Sequence, residues 1–275
     1  MFAEQPNELK QLLIIDHASS PYAGEMLFPF AAEELLCRAV GAGKLPAVVY
    51  FWRHVKGLVL GLRDRRLPFA KEAIQSFEQS GFQVAVRHSG GAAVPLDDGV
   101  VNVSLIFPKP KGRIDFHDDF ETMYSLIKRS VMSLAPNAGV SVAKGEIAES
   151  FCPGDYDISI GGKKFCGLAQ RRQTLGIAVQ AFVLACGSGK ERAMHAIRYY
   201  DQAAQGHPGL DHPRVSPNSM ASLEELIGLA DEDSFIRAVK RELRSRYPRI
   251  EEKDEIPLQA EDIHAMVGQL KRRYA

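Results

Sequence analysis

Three apolar runs of strand length constrain this chain most: AVVYFWRH at 47–54, VVNVSLIF at 100–107 and GIAVQAFVLA at 176–185. Such runs, rich in β-branched and aromatic residues and bounded by glycine and proline, read as strands. GLVLGL at 57–62 follows AVVYFWRH after a short turn, which predicts a hairpin between them. QVAVR (83–87) and VVNVSLIF bracket a glycine-rich loop, with the polar, proline-broken PKPKGR (108–113) beyond, and DYDISI (155–160) and KKFCGLAQR (163–171) add further strands.

Between the strands the period changes to that of a helix. Ala31, Ala32, Leu35, Leu36 and Val40 recur at helical spacing over 28–42, and Gly41, Gly43 and Pro46 end the run. Helices are also expected at 69–79, 120–134 and 191–202. After the Pro/Gly/Asn-rich stretch 206–219, Ser222 with Glu225 makes a capping box. Phe235, Ile236, Val239 and Leu243 form one helix face, and Ile263, Met266, Val267 and Leu270 another. The expected class is α+β, a mixed sheet flanked by helices with a C-terminal helical segment. The divisions are 1–27 as an N-terminal extension, 28–205 as the main domain and 206–275 as the helical segment.

Lys+Arg and Asp+Glu both count 34, so no net field draws nucleic acid or anionic lipid. The N-terminus MFAEQPNELKQ lacks the basic start and apolar run of a secretion signal, and no stretch reaches membrane-span length; a cytoplasmic location is expected. The four cysteines, Cys37, Cys152, Cys166 and Cys186, contain no CxxC pair, which argues against a zinc site and a disulfide framework. The eight histidines contain no HExxH, so metal-dependent hydrolysis has no support. The basic runs RDRR (63–66), PKPKGR and RELRSRYPR (241–249) read as solvated faces, one of which can receive an acidic protein.

Two segments can carry chemistry. RHSGGAAVPLDDGVVNVS (87–104) lets a bound chain approach the backbone at Gly90 and Gly91. Arg87 can pair with an anion, and Asn102 and Ser104 alternate onto one strand face; the competing reading is a tight turn between two strands. ESFCPGDYDISIGGKKFCGLAQRR (149–172) places Cys152 on a loop with a Gly-Gly turn and two lysines downstream. If that hairpin folds Lys164 back, its ammonium stabilises the Cys152 thiolate and makes it an acyl acceptor. The alternatives are a buried packing cysteine and a solvated lysine. Cys37 and Cys166 read as packing residues, Cys186 as the rival nucleophile, and His88 lies beside the glycine-rich loop.

These two segments resemble the biotin/lipoate protein ligase catalytic family over roughly 28–184. Arg87, Ser89, Gly90, Gly91, Asn102 and Ser104 follow its Arg/Gly-rich loop, and Lys164 falls at its lysine signature. The CPGxYD stretch at 152–157 is similar to the branch that moves octanoate from the glycine-cleavage H protein to other lipoyl domains. The resemblance implies a ligase-like catalytic domain and a thioester on Cys152, with Lys164 as its cationic partner. The donor would be octanoylated H protein and the acceptors apo lipoyl domains of 2-oxoacid dehydrogenase E2 subunits. Exchanging one amide for another is nearly neutral in free energy, so neither ATP nor a metal is expected.

Backbone N–H groups near Gly154 or Gly91, with Lys164, are the expected oxyanion donors. Ala92 and Ala93 stand where ligases often carry glycine, and the small residues, with Gly167 and Ala169, suit a narrow apolar tunnel. Three other readings remain: octanoyl transfer from acyl carrier protein, ATP-dependent lipoate ligation, and a non-catalytic acyl- or lipoyl-domain-binding protein.

Overall fold

The computed structural model describes residues 11–109, 116–137 and 139–274; the N-terminal decapeptide and most of PKPKGR lie outside the described residues. The strands are β1 (Gln11–Tyr22), β2 (Ala47–His54), β3 (Lys56–Leu60), β4 (Gln83–Val86), β5 (Val94–Asp97), β6 (Val100–Pro108), β7 (Val142–Lys144), β8 (Ile158–Ile160), β9 (Lys163–Arg172), β10 (Gly176–Leu184) and β11 (Arg249–Lys253). The helices are α1 (Leu27–Gly41), α2 (Ala70–Gln79), α3 (Phe116–Leu134), α4 (Gly189–Ala204), α5 (Leu223–Ile227), α6 (Glu232–Arg244) and α7 (Ala260–Tyr274).

An eight-stranded sheet runs in the order β11-β1-β2-β6-β10-β9-β8-β7, and a three-stranded sheet in the order β4-β3-β5. β1 pairs in parallel with β2 and β11, whereas β2, β6, β10 and β9 pair antiparallel in turn. The central strands are apolar almost throughout because both their faces are covered. Leu13, Val48, Tyr50, Trp52, Ile106 and Phe182 share one core with α1 and α7. Leu12, Ile14, Val49, Phe51, Val103 and Val179 share the other with α3 and α6. The expected faces of the last two long helices are buried, and the Ser222–Glu225 capping box is present.

Three features depart from the sequence reading. The hairpin expected over 47–62 does not form: β2 pairs with β1 and β6, while β3 pairs with β4 and β5 in the smaller sheet. The chain changes sheets at Val55, and His54 fixes the corner, its Nδ1 accepting from the Lys56 N–H at 3.1 Å and its Nε2 lying 3.1 Å from the Gly24 carbonyl. Residues 1–27, expected as an extension, contain β1, an interior strand of the large sheet. The segment 206–275, expected to be helical, adds the edge strand β11, whose RIEEK sequence is mostly exposed and has no apolar period.

Among the described residues, no helix is long and apolar enough to cross a membrane. If β1 is integral to the fold, Ile14→Ala, at a side chain with no exposure, should cost about 2–5 kcal/mol of unfolding free energy. A urea titration measures this; a loss under about 1 kcal/mol would contradict the interior placement.

Candidate functional site

A cavity opens where the two sheets meet. Its lining includes Phe30 and Glu33 of α1, Trp52 of β2, Asn102 and Ser104 of β6, Gly167 and Ala169 of β9, and Gln180 and Phe182 of β10, with Arg87 and Cys152. Register explains the convergence. Trp52, Asn102, Phe182 and Gly167 form one row across four strands, and Tyr50, Ser104, Gln180 and Ala169 form the row two residues along. Residues two apart on a strand share a face, so both rows face α1. The cavity's empty volume, counting its open mouth, is about 480 Å³.

Cys152 sits on the loop between β7 and β8 with φ at 49°, left-handed for a residue that carries a Cβ. Its Sγ accepts hydrogen bonds from Arg87 Nη2 at 3.1 Å and from the Ala92 N–H at 3.3 Å. The same Arg87 nitrogen donates to the Ala92 carbonyl at 2.6 Å. Gly91 makes this approach possible: at φ 105°, a Cβ there would stand 2.3 Å from Arg87 Nη2 and 2.8 Å from the Cys152 sulfur. Ser89 is buried on the same loop, whereas a Cβ on Gly90 would meet open space.

Lys164 returns to this loop as the Gly-Gly turn implied, but not to the sulfur. Its Nζ donates to the carbonyls of Phe151 (2.9 Å) and Cys152 (2.6 Å) and pairs with Asp157 Oδ1 at 2.7 Å. An ammonium has three protons, which these three partners engage, and Ser150 Oγ at 3.4 Å is a longer fourth contact. The cation hydrogen-bonded to the sulfur is Arg87, whereas Lys164, expected as the partner of the thiolate, has its Nζ on the Cys152 carbonyl. Lys164 instead holds the backbone of Phe151 and Cys152 in its strained form. A positive φ at such a residue costs on the order of 1–3 kcal/mol and persists only where the surroundings impose it.

Asp157 completes the clamp. Its Oδ2 accepts from the Ile147 N–H at 3.1 Å, and its own N–H donates to the Gly154 carbonyl at 2.9 Å. Burial raises the Asp157 carboxyl above its ordinary value, and the Lys164 ammonium opposes that rise. The C-terminal segment braces the other side: Ser216 N–H and Ser219 Oγ both donate to the Glu149 carbonyl, at 2.7 and 2.8 Å. Lys164 N–H in turn donates to the Ser219 carbonyl at 2.9 Å.

The rival thiols are elsewhere. Burial, reinforced by Glu232 and Glu224, pushes Cys186 up to about 12, and burial, reinforced by Glu33 and Glu34, pushes Cys37 to about 12. Cys166 is fully buried in β9 and is likewise driven upward by burial. His88 Nε2 pairs with Glu34 Oε2 at 3.1 Å.

Two acids were not foreseen. Glu33 is buried in the cavity wall, accepting hydrogen bonds from Ser104 Oγ and Gln180 Nε2; burial drives its carboxyl upward despite both donors. For Glu34 burial also acts upward, but His88 and Arg171 outweigh it and bring the carboxyl down to about 2. The sequence signal for these roles is two adjacent glutamates on a helix whose remaining residues, Arg38 apart, are apolar or small. Among the described residues no cluster of three or more His, Cys, Asp or Glu side chains forms a metal site.

The Lipoyl protein ligase A/B catalytic domain profile matches residues 25–244. The chain is 46% identical over 218 residues to the octanoyl-GcvH:protein N-octanoyltransferase of Geobacillus kaustophilus, covering 78% of this chain and 76% of that one. It is 43% identical over 219 residues to the Bacillus velezensis protein of the same name, covering 78% and 74%. Among solved structures, a lipoate-protein ligase A bound with ATP superposes with a TM-score of 0.69 at 19% identity, over 96% of this chain and 95% of that one. A putative lipoate protein ligase from T. acidophilum with bound lipoic acid gives 0.65 at 19% identity, over 96% and 95%. The two likenesses bear on the fold.

The two cations should separate by experiment. Arg87→Met should slow iodoacetamide alkylation of Cys152 about tenfold, the worth of one charge-assisted hydrogen bond. Lys164→Met strands a buried carboxylate and should cost about 3–5 kcal/mol in urea unfolding; equal effects on both readouts would contradict the division. Glu34, whose folded value lies near 2 against an ordinary 4.5, contributes stability that is complete above pH 4.5 and lost as pH falls from 4.5 toward 2. Glu34→Gln should flatten that part of the acid-unfolding profile.

Proposed function

The chain belongs to the lipoyl protein ligase A/B catalytic family, and from that membership we propose that it is an acyltransferase carrying octanoyl groups on Cys152. In this reading it takes octanoate from an octanoyl-lysine of the glycine-cleavage H protein and delivers it to the lysine of an apo lipoyl domain, such as those of 2-oxoacid dehydrogenase E2 subunits. Its relatives' names support the H-protein donor. The observation that carries the mechanism is the Cys152 sulfur at the apolar cavity, receiving N–H donors from Arg87 and Ala92.

The chemistry balances without a nucleotide. The Cys152 thiolate attacks the amide carbonyl of the donor octanoyl-lysine, forming a C–S bond while the carbonyl oxygen takes the negative charge. Arg87 and the Ala92 N–H, already directed at the sulfur, are the donors nearest to that oxygen in this reading. Collapse breaks the C–N bond, and the donor lysine leaves as an amine that takes up a proton. The acceptor lysine then attacks the thioester, its C–N bond forms, the C–S bond breaks, and it releases the proton the donor took. One amide replaces another, so neither ATP nor a metal enters the cycle.

The alkyl chain in this reading runs from Cys152 between Trp52, Phe182 and Gly167 toward Ala169. A Cβ at Gly167 would lie 2.5 Å from the Phe182 ring, so the position stays small to keep that ring in place. The reaction belongs to the cytoplasm in this reading.

The test is transfer itself. Octanoylated H protein and an apo lipoyl domain, incubated with this protein without ATP, should yield octanoylated lipoyl domain by intact mass. Cys152→Ala should abolish the product, whereas Cys186→Ala should retain most of it. Transfer only from octanoyl-acyl carrier protein, or only with free octanoate and ATP, would replace the proposed donor; activity surviving Cys152→Ala would remove the thioester.

A further inference from the structure

Of the two donors that meet the Cys152 sulfur, the Ala92 N–H belongs to the Gly91–Ala92 peptide, and Arg87 is held by the next peptide along, the Ala92–Ala93 link. Its carbonyl end accepts Arg87 Nη2 at 2.6 Å, and the same nitrogen reaches the sulfur at 3.1 Å. Its N–H end, on Ala93, donates to the Tyr200 hydroxyl at 3.1 Å. That hydroxyl in turn donates to Asp64 Oδ1 at 2.9 Å, and Asp64 Oδ2 accepts the Gly61 N–H at 2.7 Å. Asp64 and Tyr200 are both buried. The backbones of Gly61 and Gly91 also touch, since a Cβ on Gly61 would stand 2.0 Å from the Gly91 carbonyl oxygen.

We propose that Tyr200, anchored by Asp64, is a positioning residue for the Cys152 chemistry: it sets the tilt of the Ala92–Ala93 peptide and so aims Arg87 at the sulfur. The inference rests on the reading of Cys152 as the acyl carrier. The chemistry of the relay is specific. A peptide plane rotates about its neighbouring bonds unless both ends are held, and here Arg87 holds the oxygen and Tyr200 the N–H. Without the hydroxyl, the Ala93 N–H and Asp64 Oδ1 both lose a buried partner, and the plane turns to find others. Arg87 then follows the Ala92 carbonyl away from the sulfur. The hydroxyl acts through α4, so a helix of the C-terminal half tunes a loop more than a hundred residues upstream.

Tyr200 has a neighbour that serves as an internal control. Tyr199 is equally buried on the same helix, and its hydroxyl donates to the Asp64 main-chain carbonyl at 3.0 Å, one step outside the relay. The Tyr200 ring also stacks on His212, with centroids 5.0 Å apart and 14° between planes, a contact that Phe preserves.

Tyr200→Phe should therefore lower the iodoacetamide alkylation rate of Cys152 by about fivefold to tenfold, as expected for one or two lost hydrogen bonds. It should lower kcat for octanoyl transfer by a similar factor with KM for octanoylated H protein unchanged. Tyr199→Phe should match wild type in both, and Asp64→Asn, which keeps the shape and weakens the acceptor, should fall between wild type and Tyr200→Phe. Wild-type rates in both Tyr200→Phe and Asp64→Asn would overturn the relay, as would a Tyr199→Phe loss equal to that of Tyr200→Phe. Alkylation is read without any acyl donor, so a relay effect stands even where no transfer is found. Conversely, transfer by wild type with an unaffected Tyr200→Phe would overturn the relay and leave the thioester reading intact.

Discussion

A lysine ammonium with no access to water must find its charge balance and three acceptors inside the protein, and at Lys164 that requirement shapes the site. Asp157 supplies the charge, and the carbonyls of Phe151 and Cys152 supply the remaining acceptors. The loop must therefore present two consecutive carbonyls to one point, and Cys152 accommodates this by adopting φ 49°. The strain is local, but the forces that impose it come from β8, β9 and the segment around Ser219. A buried pair of this kind contributes little net stability when intact and a large loss when broken, which suits a role in specifying one loop geometry.

This arrangement separates two tasks that a single cation might have combined. Lys164 determines where the sulfur is, and Arg87 with the Ala92 N–H determines what the sulfur meets. The separation matters for a group that must change its bonding. In the proposed transfer the donors on the sulfur follow charge onto a carbonyl oxygen, whereas Lys164 keeps its partners. The cavity beyond follows from strand register: small residues at 167 and 169 face the large rings of Trp52 and Phe182, and Glu33 closes part of the wall with Ser104 and Gln180.

Much of the framework was legible in the sequence because it depends on local period. The runs that became β2, β6 and β10 are buried on both faces and read as apolar blocks, and α1 ends at Gly41 and α2 at Gln79 as expected. The 47–62 hairpin was misread because two adjacent strand-like runs imply pairing, while the choice of sheet depends on partners far along the chain. β11 escaped because an exposed edge strand needs no apolar face. Cys152 and Lys164 were legible by spacing and by resemblance, as were Asn102 and Ser104 by alternation. The position of the Lys164 ammonium was not, since its closest acceptors are two carbonyls and a carboxylate that no residue pattern encodes. For the same reason Asp157 and Tyr200 stayed hidden: their functions lie in tertiary contacts, and their residue types are ordinary.

The most direct test of the account is to trap the acyl-enzyme. Wild-type protein quenched in acid after mixing with octanoylated H protein alone, then digested and mapped by mass, should carry one octanoyl group on the peptide containing Cys152. Hydroxylamine at neutral pH should remove it, as it removes thioesters. An octanoyl group on a lysine or on another cysteine, or label resistant to hydroxylamine, would contradict the claim that this strained cysteine is the carrier.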